Sequence, residues 1–396
     1  MGLRGNLWVI SLLCLSALTE KALSKGHYFN VINYGAKADG RTDMSQALTN
    51  AWKNACASRV SSTVLIPKGW YLLGPVILVG PCRSKIEFRN KGRVMAPMNP
   101  SAFKGPSWVN FRYISGLTIS GKGTFDGRGQ VAWAQNDCNR NPNCQQLPVN
   151  FRLDFVNNTL VKDITSLNSK NFHMNLFQCH GMRMQNLKIF APWNSPNTDG
   201  IHIGDSSFIL IIHSVFGTGD DCISLGSGSR NITISNVFCG PGHGISIGSL
   251  GKYKDEADVA GITVRDCTLS GTTNGVRIKT WPNSAPGLAS DLTFENIIVK
   301  NVYNPVVVDQ EYCPNNNCDK QGPSLVKLKN VKFHNIRGTA SSNVAVKIVG
   351  SSAKPCEVQI GDINLLYHGK GGGATSICHN AKAVHWGKQT PLICPR

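Results

Sequence analysis

Acidic side chains are scarce in this chain. It carries 23 Asp and Glu against 41 Lys and Arg in 396 residues, a formal net charge of +18. Such an excess suits three kinds of partner: nucleic acid, an acidic membrane or an acidic polymer. Long apolar runs are scarcer still. One stretch, Leu7 to Leu18, follows Arg4 and precedes the small residues Ala22 and Ser24. That is the layout of a secretory leader over residues 1–24; it is short for a membrane anchor, and no second run follows. Export removes nucleic acid and membrane from the partner classes and favours an extracellular anionic polymer. Helical periodicity is also absent from most of the chain, which excludes a sheet wound with alternating helices.

Glycine and cysteine are plentiful, at 40 and 14. Cys14 belongs to the leader, and an oxidising compartment should pair most of the rest. Close spacing suggests Cys313 with Cys318, Cys138 with Cys144, and Cys222 with Cys239; Cys56 with Cys82 is a looser match. Cys356, Cys378 and Cys394 cannot all pair among themselves, so a free thiol is expected. Asn157 and Asn231 open glycan-acceptor triplets.

A short pattern, apolar–x–apolar–x–Asn/Asp/Ser–apolar, recurs along the chain. Clear copies start at Met182, Leu210, Ile232, Ile262, Leu292 and Val326, with weaker ones at Leu117 and Thr159. Their spacing is that of a solenoid, and the alternation within each copy is that of a half-buried strand. Strands this short must stack on their neighbours to bury anything. The leucine spacing does not fit leucine-rich repeats. The fold expected for residues 25–396 is therefore an all-β, single right-handed parallel β-helix, one coil per repeat. The segment Gly40–Ala57 predicts a capping helix at one end, started by Asp43 or Thr42, with Ala47, Leu48, Ala51, Trp52 and Ala55 on its inner face. The Cys-rich tail after Cys356 would close the other end.

The repeat also serves as a ruler. Asp199, Asp220, His243 and Arg277 follow one another at about one coil each, so Asp199, the pair Asp220/Asp221, His243, and Arg277 with Lys279 should stack on one face. Singly, each is an ordinary turn or surface residue. Together, three carboxylates, an imidazole and two cations are a poor structural device and a reasonable active site. Adjacent strand residues point to opposite faces, so Asp220 and Asp221 should lie at a strand end or bend. One carboxylate of the three should have a raised pKa, with Arg277 and Lys279 opposing the shift. No second His or Cys stands at ligand spacing near His243, which argues against a metal site.

The segments "SPNTDGIH" (Ser195–His202), "GTGDDCISLGSG" (Gly217–Gly228), "CGPGHGISIGSLG" (Cys239–Gly251) and "NGVRIKTW" (Asn274–Trp281) resemble the signature segments of the polygalacturonases, inverting glycoside hydrolases that cut pectin. The resemblance spans nearly the whole exported chain and is strongest to plant exopolygalacturonases of the pollen type. It implies that Asp220 is the general acid, while Asp199 and Asp221 activate water beside His243. It further implies that Asn197, Arg277, Lys279 and Tyr312 bind the acidic sugar. No cofactor or metal is implied, the partner is polygalacturonate, and the chain is expected to act as a monomer in the cell wall. An endo-acting enzyme, a rhamnogalacturonan hydrolase, a Ca²⁺-dependent pectate lyase and a non-catalytic wall protein are the alternatives.

Overall fold

The computed structural model describes residues 27–394 apart from 139, 140, 142, 143, 145 and 371. The leader expected over residues 1–24 lies outside the described residues. Within them, alternation in the sequence becomes strand: Ile232 and Ile234 point inward and are fully buried, while Thr233 between them faces out. Strands pair in parallel from coil to coil, giving a parallel β-helix as the repeat predicts. One wall is an eleven-stranded sheet running from Val76–Val79 to Thr375–His379; the other walls comprise 22 strands.

The polar position in each repeat has a steric cause. Asn186, Asn236, Asp266, Asn296 and Asn335 all bend the chain with φ between 48° and 55°. This left-handed conformation is tolerated by Asn and Asp better than by other residues with a Cβ. Their side chains also link coils, with Asn296 Nδ2 donating to Asp266 Oδ1 at 3.0 Å and Asn335 Nδ2 to Asn296 Oδ1 at 2.8 Å.

Two copies of the repeat sit out of the phase the sequence suggests. Met182 pairs with Ile209 rather than Leu210, and Leu292 pairs with Val331 rather than Val326. The run Phe208–Ile212 is apolar almost throughout, so it reads equally well in either phase. Residues 326–336 contain two overlapping copies, and the second is the one in register.

The interior is a set of aliphatic and aromatic stacks. Ile201, Ile223, Ile245, Val276 and Val306 lie in one file, each at most 2% exposed. The capping helix, α1 (Ser45–Ala57), buries the five residues expected of it, and Trp52 meets Phe111 edge-on at 5.7 Å. Its first-turn geometry differs from expectation. Met44 is the cap residue, and Asp43, one position further out, accepts from Ser45 N at 2.9 Å and Gly74 N at 3.0 Å. That carboxylate ties the helix to the first coils instead of closing its end. A second short helix, α2 (Gln130–Gln135), has no forecast in the sequence pattern. At the other end the tail adds a further coil, Cys356–Leu366, Thr375–His379 and Ala381–Thr390, stapled by Cys378–Cys394.

The other four disulfides are the pairs suggested by spacing, Cys56–Cys82, Cys138–Cys144, Cys222–Cys239 and Cys313–Cys318. Cys356 is the unpaired thiol of the tail, and Cys179 and Cys267 are free and buried as well. The two acceptor asparagines differ in setting. Asn231 is exposed in a left-handed turn, whereas Asn157 is half-buried with its Oδ1 taking the His180 N–H at 3.0 Å.

Candidate active site

The candidate residues gather where the chain enters successive strands of the eleven-stranded sheet. Strands Ile201–Gly204, Ile223–Leu225, Ile245–Leu250 and Asn274–Thr280 stack in that order. Two residues before the Ile201–Ile223–Ile245–Val276 file come Asp199, Asp221, His243 and Asn274. Asp199 therefore lines up with Asp221, not with Asp220 as the ruler has it: the Asp199-to-Asp220 step is one residue short of the coil. The backbone bonds Gly200 N to Asp221 O (2.9 Å) and Cys222 N to Gly244 O (2.8 Å) fix this register.

Asp220 occupies the bend between strands Val215–Gly217 and Ile223–Leu225, the position its pairing with Asp221 demands. The bend is held from three sides. Gly219 N donates to Thr198 Oγ1 at 2.9 Å, His243 N donates to Asp220 O at 2.8 Å, and the buried Cys222–Cys239 disulfide anchors the next residues. Only glycine fits at 219, since a Cβ there would stand 2.0 Å from Ser195 O. The glycines around His243 have the same kind of cause. A Cβ on Gly244 would meet Asn274 O at 2.2 Å, and one on Gly242 would meet Asp220 O at 2.9 Å. Coil stacking requires them.

The carboxylates are differentiated. Asp220 is the accessible one, its side chain 22% exposed against 2% for Asp221. Its Oδ1 accepts from Asp221 N at 2.8 Å and lies 3.0 Å from His243 Nδ1, while Asn197 Nδ2 reaches its Oδ2 at 3.5 Å. Asp221 is buried among cations: Arg277 Nη2 donates to Oδ1 at 2.8 Å, Lys279 Nζ to Oδ2 at 2.9 Å, and Ser246 Oγ to Oδ1 at 2.8 Å. Burial alone would raise its pKa, but Lys279 and Arg277 outweigh burial and hold it at about 2. Asp199 has the opposite balance. Burial first, then the charges of Asp220 and Asp221, push its pKa well above the usual carboxylate range, against the bond from Ser224 Oγ at 2.8 Å.

The outward floor beside this turn consists, apart from Arg277, of residues the candidate set omits. Arg152, Asn175, His202, Ser224, Ser246 and Arg277 form one register file. His202 Nδ1 and Ser224 Oγ are 2.8 Å apart, and the Ser224 hydroxyl donates onward to Asp199. Burial, with the Lys279 charge, lowers the His202 pKa to about 4, so this imidazole is neutral at ordinary pH. The signal for these residues was an offset: His202, Ser224, Ser246 and Arg277 each stand three places after a member of the turn file.

Arg277 and Lys279 reach the site with little exposure, 13% and 9% at their side chains, and both are engaged by Asp221. Tyr312 joins them, with Lys279 Nζ 5.3 Å from its ring centre and Trp281 edge-on at 5.7 Å. Trp193, 74% exposed, lines a cleft together with Asn197, Asp220 and His243. Ligand atoms of Asp220, Asp221 and His243 lie within 4.8 Å of one another, close enough for a cation. The donor set fits one poorly, because Arg277 and Lys279 already occupy both oxygens of Asp221.

A buried, cation-held carboxylate, a second one with a raised pKa and a third open to a cleft are carboxyl groups in three different environments, the kind of differentiation that acid–base hydrolysis of a glycosidic bond needs. The sequence profile of the glycosyl hydrolases family 28 matches residues 56–389, and the chain belongs to that family. It is 56% identical over 372 residues to an exopolygalacturonase of Platanus acerifolia, covering 93% of this chain and 98% of that one. It is 47% identical to a polygalacturonase of Gossypium barbadense, covering 98% and 95%. In fold it resembles a hyperthermoactive exopolygalacturonase of Thermotoga maritima, with a TM-score of 0.73 at 19% identity, covering 86% of this chain and 88% of that one.

Proposed function

We propose that this chain is an exported polygalacturonase that hydrolyses α-1,4-galacturonosyl bonds of homogalacturonan with inversion, working from chain ends and releasing galacturonate. The observation that carries the reading is Asp220: it alone of the three carboxylates is open to the cleft, and His243, Asn197 and a backbone amide fix its direction. In that place it is the group to protonate the leaving oxygen. Asp199 and Asp221 then divide the work on water. Asp221, held ionised by two cations, is a weak base suited to accepting a hydrogen bond from water and orienting it. Asp199, with its raised pKa, is the stronger base of the two and the one suited to take the proton. The exo assignment draws on the exopolygalacturonase relatives.

Arg277, Lys279 and Tyr312 offer the acidic sugar a cationic, aromatic flank, and the chain's net positive charge attracts a polyanion at low salt. A galacturonate carboxylate entering there shares the cations with Asp221, so substrate binding and the charge state of Asp221 are linked. Asp220→Asn tests the assignment. Release of reducing ends from polygalacturonate should fall about a thousandfold with the fold intact. A wild type that binds polygalacturonate without cleaving it would make the chain a wall-binding protein instead. Monogalacturonate as the first product supports exo action, and early long oligomers would overturn it.

A further inference from the structure

A groove that shares no residue with the cleft around Asp220 and His243 is lined by both ends of the 310–325 turn. That turn borders both sites, with Tyr312 against Lys279 and Leu325 in the groove wall. Four lysines line the groove, Lys327, Lys329, Lys354 and Lys382, all exposed, against a single carboxylate, Glu357. Among the described residues none of the four makes an ion pair. Four exposed cations against one carboxylate give this concavity a positive potential that favours an anion there.

The groove is preformed. The buried side chain of Gln310, 2% exposed, donates to Val326 O at 2.8 Å and accepts from Ser351 N at 3.2 Å, tying its two walls together. Lys327 and Lys329 are two apart on one strand and so share a face. Leu325, 45% exposed, adds an apolar surface beside them. Spaced cations with an apolar strip match a chain that carries one carboxylate per sugar and has apolar ring faces.

We propose that this groove is a second polyuronate-binding site, which holds a length of polygalacturonate away from the catalytic floor. The proposal rests on the reading of the substrate given above. Its advantage is effective concentration: an enzyme tethered to the polymer meets chain ends more often than one in free solution. Short oligomers, bound at the catalytic floor alone, gain nothing from it.

The test compares the full chain with Lys327→Glu/Lys329→Glu/Lys354→Glu and with a charge-matched control on the first coils, Lys37→Glu/Lys68→Glu/Lys104→Glu. Each is assayed for co-sedimentation with insoluble polygalacturonate and for hydrolysis of trigalacturonate. The groove variant should lose about tenfold in polymer affinity at low salt while the control loses much less. Both should keep kcat/KM on the trimer. Equal polymer losses in the two variants would assign the effect to net charge and overturn the site, as would unchanged retention of the groove variant. Loss of trimer hydrolysis in the groove variant would overturn its separateness from the catalytic floor. A wild type inert on both substrates but retained by the polymer would instead refute the enzymatic reading.

Discussion

Lys279 Nζ lies 2.9 Å from Asp221 Oδ2 although 58 residues separate them in the chain. The ammonium is nearly buried and, with Arg277, sets the charge of a carboxylate with little exposed surface. Lys279→Met keeps the bulk and removes the charge. Asp221 then loses the cation on its Oδ2, its pKa rises from about 2, and stability drops by about 2 kcal/mol, with Arg277 limiting the loss. Asp221 contributes stability at pH values above its unfolded pKa, and that contribution is lost as pH falls through its folded value. The acid-unfolding midpoint of the variant should therefore move to higher pH, read by circular dichroism. An unmoved midpoint would show that Lys279 does not govern Asp221.

Asp199 should behave in the reverse sense. Its raised pKa means that the native site disfavours its ionised form, a penalty absent below the unfolded pKa and growing as pH rises toward the folded value. Asp199→Asn retains an acceptor for Ser224 and cannot ionise. At neutral pH it should melt higher than the parent by a few degrees, about 1 kcal/mol, with the advantage fading toward pH 4. Hydrolysis should be abolished. A variant less stable than the parent at neutral pH would contradict the raised pKa.

We propose that His243 acts through Asp220, as a positioning residue. Its Nδ1 stands 3.0 Å from Asp220 Oδ1, and its own main chain is bonded to the Asp220 carbonyl. His243→Ala should lower kcat about a hundredfold and change KM far less, and His243→Gln, which can still donate to Asp220, should recover part of the loss. Equal damage in both variants would point to a role for the imidazole beyond orientation.

Trp193 offers the cleft a broad apolar face at a point where the other lining groups are polar or small. A pyranose ring stacked on it would be steered toward Asp220. Trp193→Ala should raise KM for oligogalacturonides about tenfold with kcat little changed, measured by steady-state kinetics. A fall in kcat alone would place the indole in the chemistry instead.

The fold was legible in this sequence because two physical requirements coincide in each repeat. Alternation marks the half-buried strand, and the Asn or Asp after it marks the left-handed bend that only such residues accept readily. Where one requirement is blurred, phase is lost: the apolar run Phe208–Ile212 and the doubled motif of residues 326–336 each gave the wrong starting residue. The site was legible as a group of residue types but not in its internal arrangement. Nothing in the order of Asp199, Asp220 and Asp221 shows which two share a file. That depends on one residue of turn length. The supporting hydroxyls, Ser224 and Ser246, are common residues whose meaning comes only from the partner coil. The partition of Arg277 and Lys279 onto Asp221 likewise needs three coils to be in place at once.

The left-handed bends bring a further constraint. They fix where each strand must stop, so the stretch from the bend of one coil to the entry of the next is the part whose length can vary only at a cost in alignment. Losing a single residue between Ile203 and Ile223 would swing Asp220 and Asp221 out of step with Asp199 and break up the group of three carboxylates. The turn Gly251–Asp258 and the part of the 310–325 turn beyond Tyr312 carry no such penalty. Length differences among enzymes built on this scaffold should therefore collect in those outer turns, leaving the chemistry untouched while reshaping what the polymer meets on its way in.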